Sequence, residues 1–596
     1  MTGSRLLGGP RTRRQFLIDS TILALSGSLL ASCEITGPTG PVVSSGGGGL
    51  PGELPRTQSL FVGGWQWGPP TSFNPLAGAG AAWPASGSFE YLYESLFGFN
   101  LLTGGLQPIL GRELRWPDRL TAVVTLQPDA SWQDGTRLGA EDVVYTLELA
   151  RRHGEIPYST LWDHVAEARA LDPNTVELRL HPARINPGAV RAALAGIPIL
   201  PRHIWQQVER SQPSLLEYDN LEPVGSGPYR LVEHSPERIV LARHDEHWGR
   251  AVFGLPRPRY LVHPIFKSND GGNLAFQRGE VDLSQQFVPQ IWLMSQRHDL
   301  PVGTWFNREP FYVSGSMPML FINVHRRPFD HPSLRRALAY AIDYAQIART
   351  AMSRYSAPAR SSLVLPRGAE GPLFDEANVR AHGWTYDQRA ATTILEGELH
   401  AVRGADGIYR LPDGTRLGPF TVQTPFGWTD WMTSLQIVSQ SANDVGIDIQ
   451  IEFPEAPVVT SRMENGDFDL ALWYVSGVSP ASPWQRFRDV LDDRGVPGPG
   501  EPAYWNFNRY RNPEVAPLLD RAAAAESLDD QRSLYAQLDR IFMRDVPAIP
   551  LVYRPLEFYQ YNESVWTGFP NATNPAAPPM HSGAGVRALY LIEPRA

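Results

Sequence analysis

"LQPDASWQDGTRLGAEDVVYTLELA", residues 126–150, runs through a strand end, a turn and a helix without a break. The preceding "LTAVVTL" (120–126) alternates toward a β-strand, and "QPDASWQDGTRLGA" supplies the Pro, Asp and Gly of a turn. "EDVVYTLELARR" (141–152) then reads as a helix, with Val143, Leu147 and Ala150 on one face. Glu141 and Asp142 fall in its first turn, where negative charge complements the helix dipole. Strand and helix in alternation predict a mixed α/β architecture.

The same alternation continues outward. "PSLRRALAYAIDYAQIA" (332–348) predicts one helix with Leu334, Leu338, Ala341 and Ala345 as its apolar stripe. "NPEVAPLLDRAAAAESLDDQRSLYAQLDRIFMRD" (512–545) predicts two helices, with Ser527 and Asp530 as the cap between them. "NTVELRL" (174–180) and "IPLVYR" (549–554) predict strands, and no internal repeat is evident. The expected fold is α/β with more than one mixed sheet.

Residues 1–33 read as an export signal. "TRRQFL" (12–17) places Arg13-Arg14 before a short apolar run, as in a twin-arginine signal. The run ends "LLASC" at Cys33, the one cysteine of the chain. Leu30-Ala31-Ser32-Cys33 resembles a bacterial lipobox, which predicts lipidation of Cys33 and anchoring to the outer face of the cytoplasmic membrane. Residues 34–55 are rich in Gly, Pro and Ser and predict a flexible linker with a reach of roughly 25 Å.

The remaining chain is long enough for two or three domains. The formal charge of the whole is −9, and removal of residues 1–32, with four arginines and one aspartate, makes it −12. This balance argues against a nucleic-acid partner. Lys267 is the single lysine, and no glycine-rich loop precedes it, so the chain has no phosphate-binding P-loop. Seventeen tryptophans and 21 tyrosines favour a recognition surface.

The opening stretch resembles the signature of the family 5 extracellular solute-binding proteins. Further matching blocks follow in the family's order: "ILPRHIW" (199–205), "PVGSGPYRL" (223–231), "LAFQRGEVDLS" (274–284), "LFINVHRRPFDHPSLRRALAYAID" (320–343), "AYWNFNRYRNPEVAPLLDRAAA" (503–524) and "DVPAIPLVYR" (545–554). The resemblance implies a two-lobed periplasmic-binding-protein fold of the large three-subdomain variety, hinged between the lobes. Lobe one would comprise 56–310 and the returning 550–596, and lobe two 311–549. It further implies a monomeric, non-enzymatic binding subunit of an ABC importer, without cofactor, that delivers its solute to permease subunits driven by a separate ATPase.

Peptide-binding members typically carry an aspartate in a Trp-x-x-Asp motif that pairs with the ligand's amino terminus. In "FDLALWYVSGVSPASPWQRFRDVL" (468–491) that position, three after Trp473, is Ser476, and the next acid is Asp489. "GGWQWGPPTSFNPL" (63–76), "WTGFPNATNPAAPP" (566–579) and "SPASPWQRFRDVL" resemble instead the subgroup that binds β-linked oligosaccharides. Flat aromatic rings stack on sugar C–H faces, and amides orient hydroxyls. The expected ligand residues are Trp65, Trp67, Asn74, Trp428, Trp431, Trp473, Tyr474 and Ser476. Trp65 and Trp67, alternating on an extended segment, would point to opposite faces. The expected ligand is thus a short oligosaccharide, with an oligopeptide as the alternative.

Other classes have weaker support. "RHDEHW" (243–248) places His244 and His247 around two acids, but a surface turn accounts for it better than a metal site. There is no HExxH or GxSxG motif. Two carboxylates suffice for glycoside hydrolysis, which keeps an exported glycosidase as a distant alternative. A solute sensor that contacts a receptor in place of a permease is the remaining one.

Overall fold

The computed structural model describes residues 54–298 and 300–595. The export signal, Cys33 and nearly all of the expected linker lie outside the described residues. Three sheets organise the body. The largest has seven strands, ordered Val302–Thr304, Gln560–Asn562, Leu283–Ser284, Ser59–Gly63, Tyr260–Pro264, Arg238–Arg243 and Tyr229–His234. Ser59–Gly63 lies parallel to both of its neighbours, and its unbroken "LFV" suits a strand covered on both faces.

A four-stranded antiparallel sheet carries the sequence read first: Gly111–Asp118, Thr121–Leu126, Thr175–Leu180 and Val165–Asp172. The helix Ala140–Arg152 packs on it through buried Val143, Leu147 and Ala150. Asp142 does more than favour the dipole. Its carboxylate accepts the Gly139 N–H at 2.9 Å and the Arg202 N–H at 3.0 Å, which fastens the "ILPRHIW" block to the start of the helix.

The third sheet has five strands, ordered Ile449–Glu452, Phe420–Gln423, Leu470–Trp473, Met319–Ile322 and Ala548–Pro550. The chain passes between the seven-stranded and five-stranded sheets twice, outward through Ser314–Ser316 and back through Arg554–Pro555. These two segments pair antiparallel, Ser314 opposite Pro555 and Ser316 opposite Arg554. The result is a two-lobed α/β fold joined by a two-strand ribbon. "IPLVYR" is therefore not one strand, since it leaves the five-stranded sheet at Pro550 and enters the ribbon at Arg554. Glycine lets a third segment reach the ribbon: a Cβ on Gly477 would collide with Leu556 Cδ1 and lie 2.8 Å from the Gly315 carbonyl.

The lobes also touch away from the ribbon. Arg119 Nε lies 2.7 Å from Glu526 Oε1, and the His164 and Trp484 rings are 5.5 Å apart. The segment 332–348 differs from expectation. Its helix ends at Ala341, Ile342 is extended, and Asp343 caps a new turn by accepting the Gln346 N–H at 2.8 Å. Ala345 is consequently only half-buried, and Tyr344 and Ile347 take its place in the core. The helices Val515–Ala524 and Leu528–Asp545 flank Ser527, whose hydroxyl accepts the Asp530 N–H at 3.0 Å.

Candidate functional site: an aromatic wall beside the ribbon

Phe420–Gln423 and Leu470–Trp473 are parallel neighbours, so their C-terminal ends emerge side by side. Ligands in open α/β sheets sit at such strand ends. One strand ends on Trp473 and Tyr474; the other leads through a short loop to Trp428, whose carbonyl accepts the first N–H groups of the helix Thr429–Asp444. Trp428 and Trp473 stack with centroids 5.5 Å apart and planes 15° from parallel. Trp473 and Tyr474 stack at 5.3 Å and 20°. Trp431 stands across all three rings, nearly perpendicular to Trp428 at 4.7 Å. It is 3% exposed, whereas Tyr474 is 49% exposed and Trp428 and Trp473 lie between. Trp431 is thus the buried post, and the other three present ring surface outward.

Beside this wall the return strand contributes Arg554. Its Nε donates to Asp430 Oδ2 at 3.2 Å, and its guanidinium carbon lies 4.5 Å from the centre of the Phe558 ring. Asp430 is buried in the first turn of the helix Thr429–Asp444, so the pair ties that helix to the ribbon. Sequence reasoning missed Asp430 and Arg554. The available signal was an arginine closing the apolar run "IPLVYR", directly ahead of a proline.

Ser476 meets Asp489, which sits on the helix Trp484–Leu491. The Ser476 hydroxyl donates to Asp489 Oδ2 at 2.6 Å, and its backbone N–H does so at 3.2 Å. Burial raises the Asp489 carboxyl, with Arg488 and these two donors opposing. The acid downstream of the motif is therefore closed off by the residue that replaced the expected aspartate.

The lobe-one candidates are arranged differently from expectation. The strand ends at Gly63, and Gly64 has φ of +98°, so Trp65 and Trp67 have left the strand and its alternation does not apply to them. His263 Nε2 accepts the N–H groups of both Trp65 and Gln66 at 3.2 Å, and burial lowers that imidazole to about 4, which keeps the acceptor free. The Trp65 ring packs against Trp83 and edge-on to His581 at 4.5 Å. Trp67 is exposed. Asn74 is fully buried: its Nδ2 donates to the Leu215 carbonyl at 2.7 Å and its Oδ1 accepts the Leu76 N–H at 2.9 Å. It fixes a turn and has no free hydrogen-bonding edge toward a cleft. Three residues beyond Arg554, Glu557 accepts the His581 N–H and the Ser582 hydroxyl, each at 2.6 Å. One segment leaving the ribbon thus holds the helix that carries Trp431 through Arg554 and reaches the Trp65 neighbourhood through Glu557.

His244 and His247 sit in a turn, their rings 6.4 Å apart. Burial and the adjacent Arg230 lower His244 to about 4. No group of three metal-binding side chains occurs among the described residues. A groove of about 660 Å³ is lined by the edge strand Val302–Thr304 together with Trp292, Phe311 and Asn571. None of the sequence candidates lines it.

Two lobes, a two-strand ribbon and an aromatic wall at parallel strand ends define a solute-binding protein. The profile of the bacterial extracellular solute-binding proteins, family 5 (middle region), matches residues 107–493, and the chain belongs to this family. It is 25% identical over 493 residues to the protein named "Probable peptide-binding protein YejA" of Agrobacterium fabrum, covering 76% of this chain and 78% of that one. A mannohexaose-bound periplasmic oligopeptide-binding protein of an oligopeptide ABC transporter from Thermotoga maritima superposes with a TM-score of 0.82 at 30% identity, over 91% of this chain and all of that one. The oligopeptide-binding protein AppA of Bacillus subtilis, solved with a nonapeptide, shares the fold with a TM-score of 0.70 at 18% identity, over 90% and 99%. The protein is a solute-binding component of an ABC importer, of a periplasmic, extracellular type. Among the described residues no helix is long and apolar enough to cross a membrane.

Proposed function

We propose that the protein captures a short oligomeric solute against the Trp428–Trp473–Tyr474 wall and delivers it to an ABC permease. The observation that carries this reading is the stacked wall at the ends of two parallel strands, next to the inter-lobe ribbon. Ring faces at such a place hold an oligomer by stacking, at about 1–3 kcal/mol for a good aromatic anchor.

Two oligomer classes fit. The names of the relatives support a peptide at least as well as a sugar. The site supports a chain without a cationic end at position 476: that residue has no carboxylate, and Asp489 is buried behind Ser476, which favours an oligosaccharide over a peptide held by its amino terminus. Calorimetric titration with β-linked di- to pentasaccharides and with di- to pentapeptides separates them. Binding of one series that Trp473→Ala abolishes supports the wall; binding that ignores Trp473, Trp428 and Tyr474 substitutions sinks it. Anchoring through a lipidated Cys33 belongs to the same proposal, and the mass of the protein's N-terminal peptide tests it.

A further inference from the structure

Arg554 is held on two sides. Asp430 takes its Nε, and Phe558 lies beneath its guanidinium plane at 4.5 Å. The Nη1 and Nη2 atoms have no hydrogen-bond partner among the described residues, although the side chain is only 25% exposed. A guanidinium whose Nε edge is occupied keeps its end-on edge, with two parallel N–H groups, for one further acceptor pair. That fork matches a carboxylate. Asp430 sits one residue before Trp431, the ring that packs against Trp428, Trp473 and Tyr474, and this puts Arg554 at the foot of the aromatic wall.

We propose that Arg554 is a specificity-determining residue of the cleft, its Nη1/Nη2 edge receiving a carboxylate on the bound oligomer. The inference rests on the reading that the oligomer lies on the aromatic wall. It reverses the polarity of recognition by an aspartate: the charged end sought is the ligand's acid. Asp430 leaves the pair formally neutral and sets the orientation of the fork, so a carboxylate arriving there meets ordered donors and needs no rearrangement. The carboxylate has two possible sources, a peptide C-terminus and a uronic acid.

The test is calorimetric titration of the purified protein with two matched pairs: tetragalacturonate and its methyl ester, and tetraalanine and its C-terminal amide. The expected result is that the acid of one pair binds about 10-fold or more tighter than its neutral partner. The pair that shows the preference names the source. Arg554→Gln, and the charge-neutral double variant Arg554→Gln/Asp430→Asn, should erase the preference. The double variant leaves no unpaired buried acid, so a folding defect in the single variant does not hide the answer. Equal binding of acid and neutral partner, or a preference that survives in the folded variants, overturns this inference while leaving the proposed function standing. Failure of all four probes to bind the wild type overturns this inference together with the oligomer reading it rests on.

Discussion

Trp473, at the end of one strand, and Trp428, at the start of the helix that follows its parallel neighbour, stack their indoles 5.5 Å apart, and Trp431 props both from behind. The two outward rings and the post should respond differently to truncation. Trp473→Ala is expected to weaken oligomer binding about 10- to 100-fold with little change in melting temperature. Trp431→Ala removes a buried indole and should destabilise by about 3–5 kcal/mol. Titration and thermal unfolding of both variants check this; a wall that is only core would lower stability equally in the two.

Restoring an acid at the motif position should harm the protein. Ser476→Asp would set a second carboxylate against Asp489, and two such neighbours cannot both ionise without strong repulsion. The pair's affinity for protons is raised in the folded state, so stability should be retained near about pH 4–5 and fall as pH rises. The exchange Ser476→Asp/Asp489→Ser should recover most of the loss. Melting curves across pH decide it, and a flat profile for the single variant would count against the contact.

Glu90 offers a second pH effect. Burial lifts its carboxyl from 4.5 to about 7, with the Gly583 N–H opposing and Glu557 and Glu94 adding to the rise. Below the unfolded value both states are protonated. Above it the unfolded chain ionises while the folded one does not, so stability declines through about pH 7, by ~3 kcal/mol in total. Glu90→Gln should therefore melt above wild type at about pH 8 and alongside it near about pH 5. Parallel melting curves at both ends would refute the assignment.

Within lobe two, Arg486 and Glu370 form a bidentate pair at 2.8 and 2.9 Å with almost no solvent exposure. Glu370→Ala leaves a buried cation and should destabilise by about 3–5 kcal/mol, whereas replacing both partners by Met and Leu should lose less. Denaturant unfolding of single and double variants measures the difference.

The parts of the fold that were legible are those set by local chemistry. Ser527 before "LDDQ" and the acids before "VVYTLELA" mark helix starts because capping depends on three or four adjacent residues. The apolar stripe over 332–348 predicts a longer helix than forms, because it runs through Asp343, whose carboxylate instead caps a new turn at Gln346. "SFNPL" presents Asn74 as a free amide because nothing local reveals that Leu215 is its partner. The stack of Trp428 on Trp473 depends on strand order, which no local pattern states. Arg554 with Asp430 depends on the ribbon, and Ser476 with Asp489 on the angle between a strand end and a helix. Family motifs carry the architecture; the pairings that join separate elements of the site, Trp428 with Trp473 and Arg554 with Asp430, are distant in sequence.

The return of the chain to lobe one has a consequence for biosynthesis. Gln560–Asn562 fills a place inside the seven-stranded sheet, and the Trp566 indole N–H donates to the Ser59 carbonyl at 2.9 Å. A nascent chain emerging from the ribosome can close the five-stranded sheet as soon as Ala548–Pro550 is made, but the sheet begun at Ser59 stays open until Gln560–Asn562 has followed. The half translated first is finished last. A chain stopped short of residue 560 would expose the edges of Leu283–Ser284 and Val302–Thr304, and such unpaired edges invite aggregation.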